Sequence, residues 1–138
     1  KTIYAGLGCR RVILMLKEKI NYTMQARAGF GDNVSEIIPR FHFQVGPEED
    51  IFNQAANQCS NVVVLDSAAK EFAEKIPDWC QQAAAPNDLV LLSVVIADKC
   101  IGLIYIDDIK ARIPEEAMSY IDTLRNQVAM AIRQRSQH

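Results

Sequence analysis

Two apolar runs, residues 89–97 and 101–106, flank the polar residues Asp98-Lys99. Both are short and rich in Val, Ile and Leu, so they read as the strands of an antiparallel hairpin. The turn lacks the Asn-Gly or Asp-Gly pair that marks a two-residue loop, and its type stays open. The first run has no polar face: Leu89, Leu91, Ser93 and Val95 alternate with Val90, Leu92, Val94 and Ile96. A strand that is apolar on both sides needs cover on both sides. The hairpin therefore belongs at the centre of a sheet held between two layers. Residues 11–16 repeat the pattern, with Val12, Leu14 and Leu16 on one side and Ile13 and Met15 on the other, and predict a second central strand.

The other elements follow from weaker patterns. Residues 22–28 are half polar, which predicts a strand nearer the sheet edge. Gly29, Gly31, Asp32 and Asn33 predict a loop over 29–33. A short helical turn over 34–38 stops at Pro39. Phe41, Phe43 and Val45 alternate with polar residues as another strand, broken by Gly46-Pro47. Residues 48–59 predict a helix with Ile51, Phe52, Ala55, Ala56 and Cys59 on one face and Glu48, Glu49 and Asp50 at its positive end. A strand over 61–66, a weak helix over 67–75 and a helix over 77–85 follow. After the hairpin, residues 107–113 read as a loop. Pro114-Glu115-Glu116 opens a helix to about Arg135. Its stripe Ala117, Ile121, Leu124, Val128 and Ala131 has the four-three spacing of a coiled-coil seam, bordered by Met118, Arg125, Ala129 and Ile132. At the other end Ile3, Tyr4, Leu7 and Gly8 read as the last turns of a helix.

The chain has 138 residues and is about half apolar, which fits a single domain over 1–138 with one core. A net charge of −2 argues against a nucleic-acid surface. No run approaches the length of a membrane span, and no signal peptide opens the sequence. The start at Lys1 predicts a fragment of a longer protein with a truncated first helix. The four cysteines, Cys9, Cys59, Cys80 and Cys100, show no C-x-x-C spacing and no neighbouring His, so reduced structural thiols and a cytoplasmic location are expected.

In order and spacing, several stretches resemble a GAF domain. They are Gly6-Leu7-Gly8-Cys9-Arg10-Arg11-Val12, Arg40-Phe41-His42-Phe43, Val62-Val63-Val64-Leu65-Asp66, Ile76-Pro77-Asp78-Trp79 and the run from Leu91 to Asp107. The similarity covers residues 6–132 and is nearest to the GAF-like modules that follow HDOD domains in bacterial signalling proteins. It implies an α+β, PAS-like fold with a six-stranded antiparallel sheet. Terminal helices would cover one face; short helices and loops would enclose a small-molecule pocket on the other. The Asn-Lys-Phe-Asp-Glu motif of cyclic-nucleotide-binding members is missing. The cysteines match neither a bilin attachment site nor the pattern of GAF-like methionine sulfoxide reductases. No ligand carries over residue by residue.

Within that frame Phe43, Asp66, Trp79, Ser93 and Tyr105 are expected to line the pocket. Each has an alternative reading. Asp66 either binds ligand donors or caps the next helix. Phe43 and Trp79 either stack on a flat ligand or pack the core. The Ser93 hydroxyl faces the pocket or bonds backbone, and Tyr105 has a buried ring with a polar tip. His42 lies on the polar side of its strand, with no nucleophile brought to it, and His138 is terminal. Glu115-Glu116 suit a helix start, and Asp107-Asp108 read as a loop pair without a basic companion. No catalytic residue, metal ligand or cofactor is expected. The function expected is a non-catalytic sensory or regulatory domain that binds an unidentified small molecule, forms a homodimer through its last helix, and works beside neighbouring domains. Alternatives are a small redox enzyme using pocket cysteines and a degenerate module used for protein contacts alone.

Overall fold

The apolar runs at 11–16 and 101–106 form the two innermost strands, and the run at 89–97 lies one strand further out. The computed structural model describes residues 9–18, 22–64, 66, 70–108, 123, 126 and 130. Its strands are β1 (Arg11–Lys17), β2 (Thr23–Gly31), β3 (His42–Gln44), β4 (Val62–Val64), β5 (Leu89–Ile96) and β6 (Lys99–Asp107). They form one antiparallel sheet in the order β3-β2-β1-β6-β5-β4. β1 and β6 occupy the middle, and the half-polar β2 lies next to the edge, as the patterns predict. The described helices are α1 (Val34–Ile37), α2 (Ile51–Gln58), α3 (Lys70–Ala73) and α4 (Asp78–Ala83), with a 3-10 turn at Ile38–Arg40.

Topology decides what covers the sheet. β3 is at one edge and β4 at the other, so the chain between them must traverse a face, and α2 makes that crossing. Its N-terminus is fixed by Asp50, whose carboxylate accepts from the Asn53 amide at 2.8 Å, and Asn53 Oδ1 accepts from the Gly46 amide at 2.7 Å. The apolar side of α2 (Ile51, Phe52, Ala55, Ala56) is buried against Ile13, Met15, Leu89, Leu91, Leu103 and Tyr105 of the sheet. On the opposite face Val12, Leu92, Val94, Ile104 and Ile106 form a second buried cluster with Cys9. The two-layer burial deduced for the central strands is thus present. The terminal-helix stripe lies outside the described residues, apart from Thr123, Asn126 and Met130, which are helical and exposed.

Three expectations are corrected. The sequence 29–33 was expected to be a loop, yet β2 continues to Gly31. These glycines serve close approach rather than a turn. A Cβ on Gly29 would sit 2.8 Å from the Val12 carbonyl oxygen and 2.7 Å from Val34 Cγ2, and Gly31 has a φ of +123° beside the Arg10 carbonyl. The helix expected from residue 48 begins at Ile51, because Asp50 is its cap and not part of its first turn. The loop expected from residue 107 starts one position later, since Asp107 is the last residue of β6 and fully buried. The hairpin turn, left open by the sequence, is Ala97-Asp98, with φ of 52° and 64° at its two residues.

Candidate functional site

Five aromatic side chains fill the layer between the sheet and its helical cover. Phe41 and Phe43 come from the strand region of β3, Phe52 from α2, Trp79 from α4 and Tyr105 from β6. Each arrives through alternation or helical spacing that turns it to the same side. Trp79 stacks on Phe43 with centroids 5.8 Å apart, approaches Phe52 at 4.6 Å, and meets Phe41 edge-on at 5.0 Å. Phe41 in turn lies edge-on to Tyr105 at 4.9 Å. Edge-on and offset pairs are the arrangements the ring quadrupoles favour. Phe41, Phe52 and Tyr105 are fully buried; Trp79 is half-buried and forms the outer side of the layer.

A polar network lies under the Tyr105 end. The Tyr105 hydroxyl donates to Asp107 Oδ2 at 2.7 Å, and the Arg11 guanidinium donates to the same oxygen at 2.8 Å. Arg11 also donates to the Asp32 carbonyl at 2.8 Å and to the Ala84 carbonyl, just after α4, at 3.0 Å. Arg11 is 3% exposed and Asp107 0%. Among the described residues no donor reaches the other carboxylate oxygen, Asp107 Oδ1. Burial pushes the Asp107 carboxyl up to about 6, against the opposing pull of Tyr105 and Arg11. Burial likewise raises the Tyr105 phenol well above its usual range. Outside this pair, Arg10 bridges Asp108 at 3.3 Å and Asp32 at 3.4 Å.

Four of the five expected site residues stand on the helix-covered face, and they divide into two groups. Phe43, Trp79 and Tyr105 belong to the aromatic layer. Ser93 is buried beneath α2, where its single hydroxyl proton is shared between the Ser60 carbonyl at 2.8 Å and the Ala55 carbonyl at 3.0 Å. Asp66 is exposed beyond the end of β4. His42 is exposed on β3. Arg11 and Asp107 do not stand out in the sequence, where Asp107-Asp108 reads as a loop pair without a basic companion. The signal was present as two matched pairs, Arg10-Arg11 and Asp107-Asp108, at the ends of two strands predicted to be central. Antiparallel pairing then sets Arg11 opposite Asp107.

No disulfide joins the four cysteines. Burial holds the Cys9 thiol up at about 11 and raises Cys80 and Cys100 as well. Cys59 is half-buried in a left-handed position at the end of α2, with its sulfur 3.6 Å from the Asp98 carbonyl. Two open depressions, of ≈ 690 and ≈ 380 Å³, lie beside the start of α2 and are lined mainly by Glu48, Glu49, Asp50 and other polar residues. Neither contains an expected site residue. Among the described residues no group of His, Cys, Asp and Glu could hold a metal ion, and no helix is long and apolar enough to cross a membrane.

A six-stranded antiparallel sheet, with one face crossed by short helices over a filled aromatic layer, defines an α+β module of the PAS-like kind. No family model matches the sequence, and no curated protein matches it. Solved structures do. The GAF domain of a phosphoenolpyruvate-protein phosphotransferase from Acinetobacter superposes with a TM-score of 0.69 at 15% identity, over 96% of this chain and 75% of that one. Residues 122 to 287 of a methyl-accepting chemotaxis protein give 0.73 at 14% identity, over 96% and 82%. A type II free methionine-R-sulfoxide reductase from Thermoplasma acidophilum gives 0.64 at 15% identity, over 92% and 81%. The chain has the GAF fold.

Proposed function

We propose that this chain is a non-catalytic regulatory domain of a signalling protein, and that its aromatic layer takes a small planar ligand bearing a hydrogen-bond donor. One observation carries this reading. A half-buried Trp79 ring stacked on Phe43 forms the outer side of a layer whose far end holds a buried acceptor, Asp107 Oδ1, that no donor among the described residues reaches. Buried acceptors are almost always paired, and a donor on a ligand would complete this one. A second reading has its own support: the rings contact one another at 4.6–6.3 Å, as expected of a module that fills its layer with its own side chains and acts through protein contacts.

Thiol chemistry is the competing class, because the same fold serves a sulfoxide reductase. A nucleophilic cysteine needs exposure and a lowered pKa. Cys9, Cys80 and Cys100 have neither, being buried and raised by burial. The reading carries a cytoplasmic location, a neighbouring domain in a longer bacterial protein such as one with an HDOD domain, and a homodimer through residues 114–135. The dimer is supported by the apolar seam of that segment. Alkylation of the native chain, resolved by mass spectrometry, tests the non-catalytic assignment. Cys59 is expected to react first, with Cys9, Cys80 and Cys100 protected until unfolding. Rapid native modification of a buried thiol would overturn it. Light scattering of the chain and of an Ala129→Glu, Ile132→Glu variant tests the dimer; a folded variant that still dimerises would contradict it.

A further inference from the structure

Arg11 joins three segments that are far apart in the sequence. Its guanidinium reaches the Asp32 carbonyl in the turn after β2, the Ala84 carbonyl at the end of α4, and the Asp107 carboxylate at the end of β6. Being 3% exposed, it has no water to replace a lost partner. An uncompensated buried charge is costly, so the three acceptors are held to one geometry. Arg suits this task because its planar fork fixes several donors at once, which a lysine ammonium does not. A second set of contacts ties the same places together. The Asn87 amide, three residues beyond Ala84, donates to Asp108 Oδ1 at 2.8 Å. The Asp108 amide donates to the Asp88 carbonyl at 3.0 Å, and the Arg10 amide donates to the Asp107 carbonyl at 3.0 Å. Left-handed residues sit at the two corners involved, Ala85 (φ 45°) and Asp108 (φ 47°).

We propose that Arg11 is a positioning residue that couples helix α4 to the ends of β1 and β6 where the chain enters and leaves the sheet. α4 carries Trp79, so a change in the aromatic layer moves the Ala84 carbonyl. Arg11 and Asp107 then carry that movement to the strand ends. This inference goes beyond the proposed function: it concerns transmission, and it requires no particular ligand.

Coupling between two sites is reciprocal and is measured by perturbing one and reading the other. Hydrogen exchange at the Asp107 and Asp108 amides reads the strand end, with the Ile13 and Met15 amides of central β1 as the reference for global unfolding. Trp79→Ala, which loosens α4, is expected to speed exchange at Asp107 and Asp108 by about tenfold relative to that reference. In an Arg11→Lys background the same change is expected to alter it by less than about twofold. Equal effects in the two backgrounds, or no effect in either, would overturn the proposal. If Arg11→Lys does not fold, the Arg11 Nε–H resonance in Trp79→Ala gives the answer. A shift there together with the Asp108 amide supports the link, and an unmoved Arg11 Nε–H overturns it.

Discussion

At the end of β6 one oxygen of Asp107 accepts from both Arg11 and Tyr105, while the other meets no donor among the described residues. Desolvation therefore outweighs the ion pair, and the carboxyl rises from an ordinary 3.8 to about 6. The folded chain then binds this proton more tightly than the unfolded chain does. The stability linked to Asp107 is fully present below about pH 4 and is lost as pH rises through about 6, a step of at most about 3 kcal/mol. Thermal unfolding followed at a series of pH values should show this step, and Asp107→Asn should remove it. An unchanged pH profile in the variant would mean that Asp107 is ionised throughout. The residue also marks a limit of sequence reading. Two charged pairs 96 positions apart become partners only once strand register is known, and composition carries no register.

The elements themselves were largely legible. Apolar faces on both sides of 11–16 and 89–97 predicted central strands; β1 is central and β5 lies one strand from the edge, and both, like β6, are covered on both faces. Local signals misled where a residue served packing. Gly29 looks like a loop residue but permits close contact between β2, the Val12 carbonyl and Val34. Gly29→Ala should therefore lower the unfolding free energy by about 1–3 kcal/mol in a denaturant titration. A neutral effect would show that β2 can move away at no cost. The β5–β6 turn gives the opposite prediction. Ala97 and Asp98 both adopt positive φ, as a type I′ turn requires, yet neither is glycine. Asn and Gly tolerate that conformation better, so Ala97→Asn with Asp98→Gly should raise the unfolding free energy by about 0.5–1 kcal/mol, read as a higher denaturant midpoint. A midpoint that falls would contradict the assignment of strain to this turn.

For the whole molecule, the order of elements and the quoted motifs led to the GAF fold. The candidate site was only half visible. Phe43, Trp79 and Tyr105 were legible as large residues on elements that cover one face, and the structure brings them into a single layer. Phe41 reads only as an apolar strand position and Phe52 as part of a helix face, and their part in connecting the layer depends on the crossing of α2, a long-range feature. Ser93 follows the second of its two readings, its hydroxyl engaged by two backbone carbonyls under α2. The central claim is that the layer between Trp79 and Asp107 binds a small molecule. Native mass spectrometry of the freshly purified chain, beside a folded Phe43→Ala, Trp79→Ala variant, tests it most directly. The account predicts a noncovalent small-molecule mass excess on the unaltered chain and its loss from the variant. No excess on the unaltered chain, or the same excess on both, would contradict it.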